Sequence, residues 1–132
     1  MVDFDDQIAE WVESTQTTID EALQTIAIKV GTNLVHLSPV DTGRFKGNWQ
    51  LSVGEMTGNS LIRYDQEGYS TIAEMATNAR TFTAGQIAYI QNHVLYGYDL
   101  EYGSSKQAPD GMVGITELQF QRIVDEAVRL VK

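Results

Sequence analysis

Apolar residues recur at three- and four-residue steps early in the chain, at Ile8, Trp11, Val12, Ile19, Leu23, Ile26, Val30, Leu34 and Leu37. That period predicts one helix from about Asp5 to about Leu37. Pro39 denies Ser38 the α region, so the helix has to end there. At ~1.5 Å per residue it is on the order of 45 Å long, more than a compact domain of this size needs to cover one sheet. Part of it is therefore expected to pack against another subunit. Acids crowd its first half while Lys29 and His36 lie late, which suits the helix macrodipole. Gly31 is costly inside a helix and marks an expected close crossing or bend.

The rest of the chain is too short for a second core of ordinary size: 132 residues with 42% hydrophobic content predict a single domain spanning 1–132. With no cysteine there is neither a disulfide nor a thiolate metal site, which fits a reducing compartment. No segment approaches the roughly 20 apolar residues of a membrane span, and Asp3, Asp5 and Asp6 are the opposite of a basic signal-peptide region. The net charge of −9 is uneven: Asp3, Asp5, Asp6, Glu10, Glu13, Asp20 and Glu21 precede the first base, Lys29. Such a face repels phosphate, which argues against sequence-independent affinity for nucleic acid there.

Beyond Pro39, the alternation in Asn48 to Val53 predicts a strand with Trp49, Leu51 and Val53 on one face. Gly54 and Gly58 bracket a turn, and Ser60 to Tyr64 reads as a returning strand. Ser70 to Arg80 reads as a short helix, Gln86 to Leu95 as another strand, and Tyr96 to Gly103 as a Gly-marked aromatic turn. A closing helix is expected near Thr116, whose spacing to Gln119 matches a capping box; it would bury Leu118, Phe120, Ile123, Val124, Ala127, Val128 and Val131. The order predicts an α+β fold: a long N-terminal helix, a small antiparallel sheet, a short middle helix and a C-terminal helix packed on the sheet.

The stretch Ser38 to Gln50, SPVDTGRFKGNWQ, reads as an assembly surface. Asp41, Thr42 and Gly43 are turn formers. Arg44 and Lys46 then place two of only nine basic residues beside Phe45 and Trp49, and loops so equipped usually touch a partner.

SPVDTGRFKGNW, followed by NHVLYGYDLEYGSSKQAPDGM, resembles the head-to-tail joining proteins of tailed bacteriophages, also called neck, connector or tail-completion proteins. Asn92, Tyr96, Glu101, Tyr102 and Gly103 match that family's second motif. The resemblance spans most of the chain, with Glu55 to Gly85 the least diagnostic part. It implies a non-catalytic virion protein forming a homo-oligomeric ring, usually hexameric, in the viral neck, where it meets portal-side and tail-side neck proteins. Double-stranded DNA would pass through without specific binding. Its expected interface is Asp41, Thr42, Gly43, Arg44, Phe45, Trp49, Tyr96, Glu101, Tyr102 and Gly103, with no cofactor, metal or membrane. A DNA conduit needs a lumen that does not hold phosphate, and Glu10, Glu13 and Asp20 are the acids expected to approach it. A tail terminator ring capping the tail tube is the nearest alternative.

An enzyme is the rival from another class. Val40-Asp41-Thr42-Gly43 looks like the active-site turn of a dimeric aspartic protease, with Met112-Val113-Gly114 as the later apolar triplet. Arg44 and Pro39 depart from that pattern. A strand on both sides of the turn favours the protease, and a helix before it favours the connector. His93, Asp99 and Ser104 can be written as a triad but lack an elbow or oxyanion signature. Asp3, Asp5 and Asp6 read as helix N-terminal acids rather than a cation loop. Tyr96, Tyr98 and Tyr102 read as interface or core residues rather than base-stacking ones, because Asp99 and Glu101 lie among them.

Overall fold

The fold is seen in a computed structural model that describes residues 3–103, 105–108 and 110–131. Helix α1 spans Phe4–Leu37, with the Asp3 carboxylate accepting the Asp5 backbone N–H at 2.7 Å. Asp5 and Asp6 occupy its first turn and His36 its last, as the dipole favours. The predicted periodic face divides in two. Ala27, Leu34 and Val35 are buried, but Ile8, Trp11, Val12 and Ile19 are exposed, Trp11 at 69%. The first half of α1 runs beyond the elements that cover the second half, which is why its apolar stripe finds no core.

A single 3-10 turn, Lys46–Asn48, leads into β1, Trp49–Val53, which pairs antiparallel with β2, Ala88–Asn92, from Trp49 opposite Asn92 to Val53 opposite Ala88. Helix α2, Tyr69–Ala79, lies between them in sequence and packs on both α1 and β1. At Gly31 the Met75 side chain of α2 packs directly on α1: a Cβ there would stand 2.0 Å from Met75 Cε. The core gathers Leu34, Val35, Phe45, Trp49, Leu51 and Met75 around this junction.

Ser60 to Tyr64 is not a strand. It has no regular structure, and the outer edge of β1 is satisfied by side chains instead: Arg63 Nη2 donates to the Trp49 carbonyl at 3.1 Å and Asn78 Nδ2 to the Leu51 carbonyl at 3.0 Å. Ile62 is left 98% exposed. The sheet partner of β1 is β2, which is shorter than the predicted Gln86 to Leu95 because the chain turns at Leu95 and Tyr96 into a short helix, α3, Gly97–Glu101.

The closing helix is also two pieces, α4, Val113–Leu118, and α5, Phe120–Val131. Thr116 does not cap it. Thr116 lies inside α4, buried, and its Oγ1 accepts from Asn33 Nδ2 at 2.9 Å while Gln119 Oε1 accepts from the same amide at 3.0 Å. The three-residue spacing thus grips α1. Ile123 and Ala127 are buried, whereas Leu118 at 84% and Phe120 at 47% exposure are not, contrary to expectation. Helix α5 lies along the second half of α1, and its Phe120 faces Ala88 and Ile90 of the sheet across an open hollow.

Gly43 adopts φ +87°, and a Cβ on it would meet backbone atoms of Asp65 and Gln66 at 2.6–2.8 Å. Its own carbonyl accepts both Gly47 N–H and Asp65 N–H. Gly43→Ala therefore combines a disfavoured conformation with a clash against immovable backbone. It is expected to lower unfolding free energy by on the order of 2–4 kcal/mol. Urea denaturation followed by tryptophan fluorescence measures this, and an unchanged midpoint would refute the assigned turn geometry.

Candidate assembly site

The two sequence motifs meet at one corner of the molecule. Ser38 Oγ donates to the Leu34 carbonyl at 2.7 Å and receives the Trp49 indole N–H at 2.7 Å. Asn48, fully buried, donates from Nδ2 to the Arg44 carbonyl at 2.6 Å and accepts Leu61 N–H at 2.6 Å. From the second motif, Asn92 Nδ2 donates to the Phe45 carbonyl at 2.8 Å. Phe45 sits edge-on to Trp49 at 5.7 Å between ring centroids and tilted to Tyr96 at 6.2 Å. Gln107 closes the corner from a third segment, accepting Val40 N–H at 2.8 Å and donating to the Val40 carbonyl at 2.9 Å, as a strand neighbour would. Among the described residues no buried side-chain nitrogen or oxygen lacks a partner.

Two carboxylates hold helix starts. Glu101 accepts the backbone N–H groups of Met112 and Val113 on Oε1, both at 2.8 Å, and of Gly114 on Oε2 at 3.0 Å, which are the free donors of the first turn of α4. Asp65 accepts Gly68 N–H, Thr71 N–H and the Thr71 hydroxyl, at 2.8–2.9 Å, and so caps α2 from outside. Burial pushes each carboxyl upward, but the donors outweigh it: both lie below the ordinary carboxylate range, Asp65 with a further downward contribution from the Arg63 charge.

The predicted interface residues fall into two groups. Phe45 at 5% and Trp49 at 4% exposure are core residues of the single chain, Gly43 is buried, and Glu101 is spent on its cap. Loop aromatics of this kind turned inward because Phe45, Trp49 and Tyr96 have one another to pack on. Asp41, Thr42, Tyr96, Tyr102 and Gly103 are exposed, and Arg44 is half-buried and outside the ion pairs formed by the described residues. Tyr102, 73% exposed, leans on Tyr98 at 4.6 Å between ring centroids. The corner therefore presents a polar turn and a tyrosine patch over a rigid base.

Of the acids on α1, Glu10 and Glu13 are exposed, whereas half-buried Asp20 accepts Gln16 Nε2 at 3.1 Å and Ala84 N–H at 2.9 Å. Asp20 is thus tied to the loop before β2. His93 Nε2 lies 3.1 Å from Thr57 Oγ1, Asp99 is on α3, and Ser104 is outside the described residues. Helix α1, not a strand, leads into Val40-Asp41-Thr42-Gly43. Sequence reasoning missed Asn48, Asp65 and Gln107. Only Asp65, three residues before a glycine and six before Thr71, carried a readable capping signal.

Compared with protein-family models, curated proteins and solved structures, the chain finds no match.

Because the Glu101 carboxyl is depressed on folding, its contribution to stability is present above the unfolded carboxylate range and is lost as pH falls through the folded value. Glu101→Gln is expected to cost about 1–3 kcal/mol at neutral pH and to flatten the loss of stability on acidification below about pH 4.5. Parallel urea titrations at several pH values check this. Equal acid dependence in the two proteins would show that the cap carries no charge-dependent stability.

Proposed function

We propose that this chain is a non-enzymatic structural subunit of a homo-oligomeric ring in the head-to-tail joint of a tailed bacteriophage, through which double-stranded DNA passes. One observation carries the reading: the first half of α1 projects past the body with an apolar stripe and an acidic face. Trp11 and Val12 follow Ile8 by three and four residues and Ile19 follows Val12 by seven, so the four share one side of the helix, while Glu10 and Glu13 lie on another. An exposed stripe of that kind marks a protein contact rather than a solvent surface. The acidic side then remains free to border a channel that must let phosphate slide past.

The resemblance of the two motifs supports the same reading, and so does their convergence on one corner. The polar turn at Asp41 and Thr42, the Arg44 side chain and the tyrosine patch are the surfaces offered to neighbouring neck layers. A protease reading is disfavoured by the helix that enters the Asp41 turn. No helix among the described residues is long and apolar enough to cross a membrane.

Purified chain is expected to form closed rings with a central channel by sedimentation velocity and negative-stain imaging. Glu10→Lys with Glu13→Lys should leave ring formation intact and create salt-sensitive DNA binding, because each cation placed at the channel can neutralise a phosphate. Asp20 is left alone, since its bond to Ala84 N–H is structural. Open filaments or discrete dimers in place of rings would overturn the proposal. Rings in which the lysines add no DNA affinity would remove the acidic face from the channel.

A further inference from the structure

The body of the molecule carries an apolar groove that nothing in the chain fills. Ile26 and Val30 of α1 form its floor, Ala88 and Ile90 of β2 one wall, and Phe120 of α5 the other. Two adjoining hollows of ≈ 470 and ≈ 330 Å³ share Val30, Ala88, Ile90 and Phe120. The same chain carries an apolar stripe with no groove of its own, and within it Trp11 is 69% exposed. They cannot meet inside one molecule, because Trp11 and the groove floor belong to a single continuous helix, roughly 20–30 Å apart at 1.5 Å per residue.

We infer that a second copy of this chain is the occupant: the projecting half of α1 from one subunit lies in the groove of the next, with Trp11 as its anchor. Charge selects this arrangement over pairing of two projecting halves. Residues 1–21 hold seven acids and no base, so two such segments side by side repel, whereas residues 22–132 hold eleven acids against nine bases. The groove itself is apolar, with Glu117 at its rim the one charged side chain among the described residues that line it, so an apolar stripe can seat there without burying an opposing row of acids. A large rigid aromatic entering an apolar hollow is the kind of contact that dominates an interface. Since stripe and groove are different surfaces, the contact is head-to-tail, and each copy can give one and receive one. This gives the proposed ring its repeating contact and rests on that reading.

The chain has no cysteine, which permits a direct test. Thr15→Cys places a thiol on the stripe and Glu117→Cys one on the groove rim; both positions are exposed. Oxidising a mixture of the two variants should give a disulfide-linked pair containing one of each, with little dimer from either alone. Trp11→Ala, folded by circular dichroism, should weaken self-association at least about tenfold in sedimentation velocity. Dimers from Thr15→Cys alone would overturn the inference in favour of pairing between projecting halves. Rings that form normally with Trp11→Ala and give no mixed disulfide would overturn the groove contact while leaving the ring standing. A wild-type chain that stays monomeric at every concentration would overturn both.

Discussion

The hydrogen-bond relay from the Trp49 indole to Ser38 Oγ and on to the Leu34 carbonyl is the contact on which the fold turns. It is buried at both residues, so each polar group would be costly if left alone, and the relay satisfies them together. Ser38 has just left α1 because Pro39 forbids more helix, and Trp49 is the first residue of β1. Joining the two fixes how the sheet leaves the helix. Once β1 is set, Asn92 can reach the Phe45 carbonyl, β2 falls into register, and Tyr96 arrives against Phe45. Glu101 and Gln107 then close the corner through α4 and Val40.

Much of this was legible from residue order alone, where one physical signal dominated. The period of α1 and its stop at Pro39 placed both ends of that helix to within a residue of Phe4–Leu37, and α2 likewise began and ended within a residue of its predicted bounds. Alternation placed β1. The reading failed where side chains stood in for backbone. Gly54 and Gly58 announce a turn before Ser60 to Tyr64, but that segment reaches β1 through the Arg63 side chain rather than its backbone, and Asn78 takes the Leu51 carbonyl. Thr116 and Gln119 have capping spacing, yet Asn33, far away in sequence, claimed both. The candidate site was legible as a tight turn and not as a surface. Whether Phe45 and Trp49 face a partner or their own core depends on Tyr96, Ser38 and Asn92, which local pattern does not reveal.

One helix thus serves two environments. From Leu23 onward α1 is held by α2, α5 and the loop before β2, including Gln24 Nε2 donating to the carbonyls of Arg80 and Phe82. Before Asp20 its described side chains are exposed, and the Thr15, Thr17 and Thr18 hydroxyls turn back on carbonyls four residues earlier. Such back-bonding adds little to helix stability, and an isolated helix of this length is marginal in water. In the proposed ring, packing on a neighbour would supply what propensity does not.

Amide hydrogen exchange along α1, followed as a function of protein concentration, tests that claim most directly. In the dilute subunit, residues 5–19 should exchange much faster than residues 23–35, and on assembly the first group should gain protection while the second, already buried against α2 and α5, changes little. Strong protection of residues 5–19 in the dilute monomer, or none gained when subunits associate, would contradict the account.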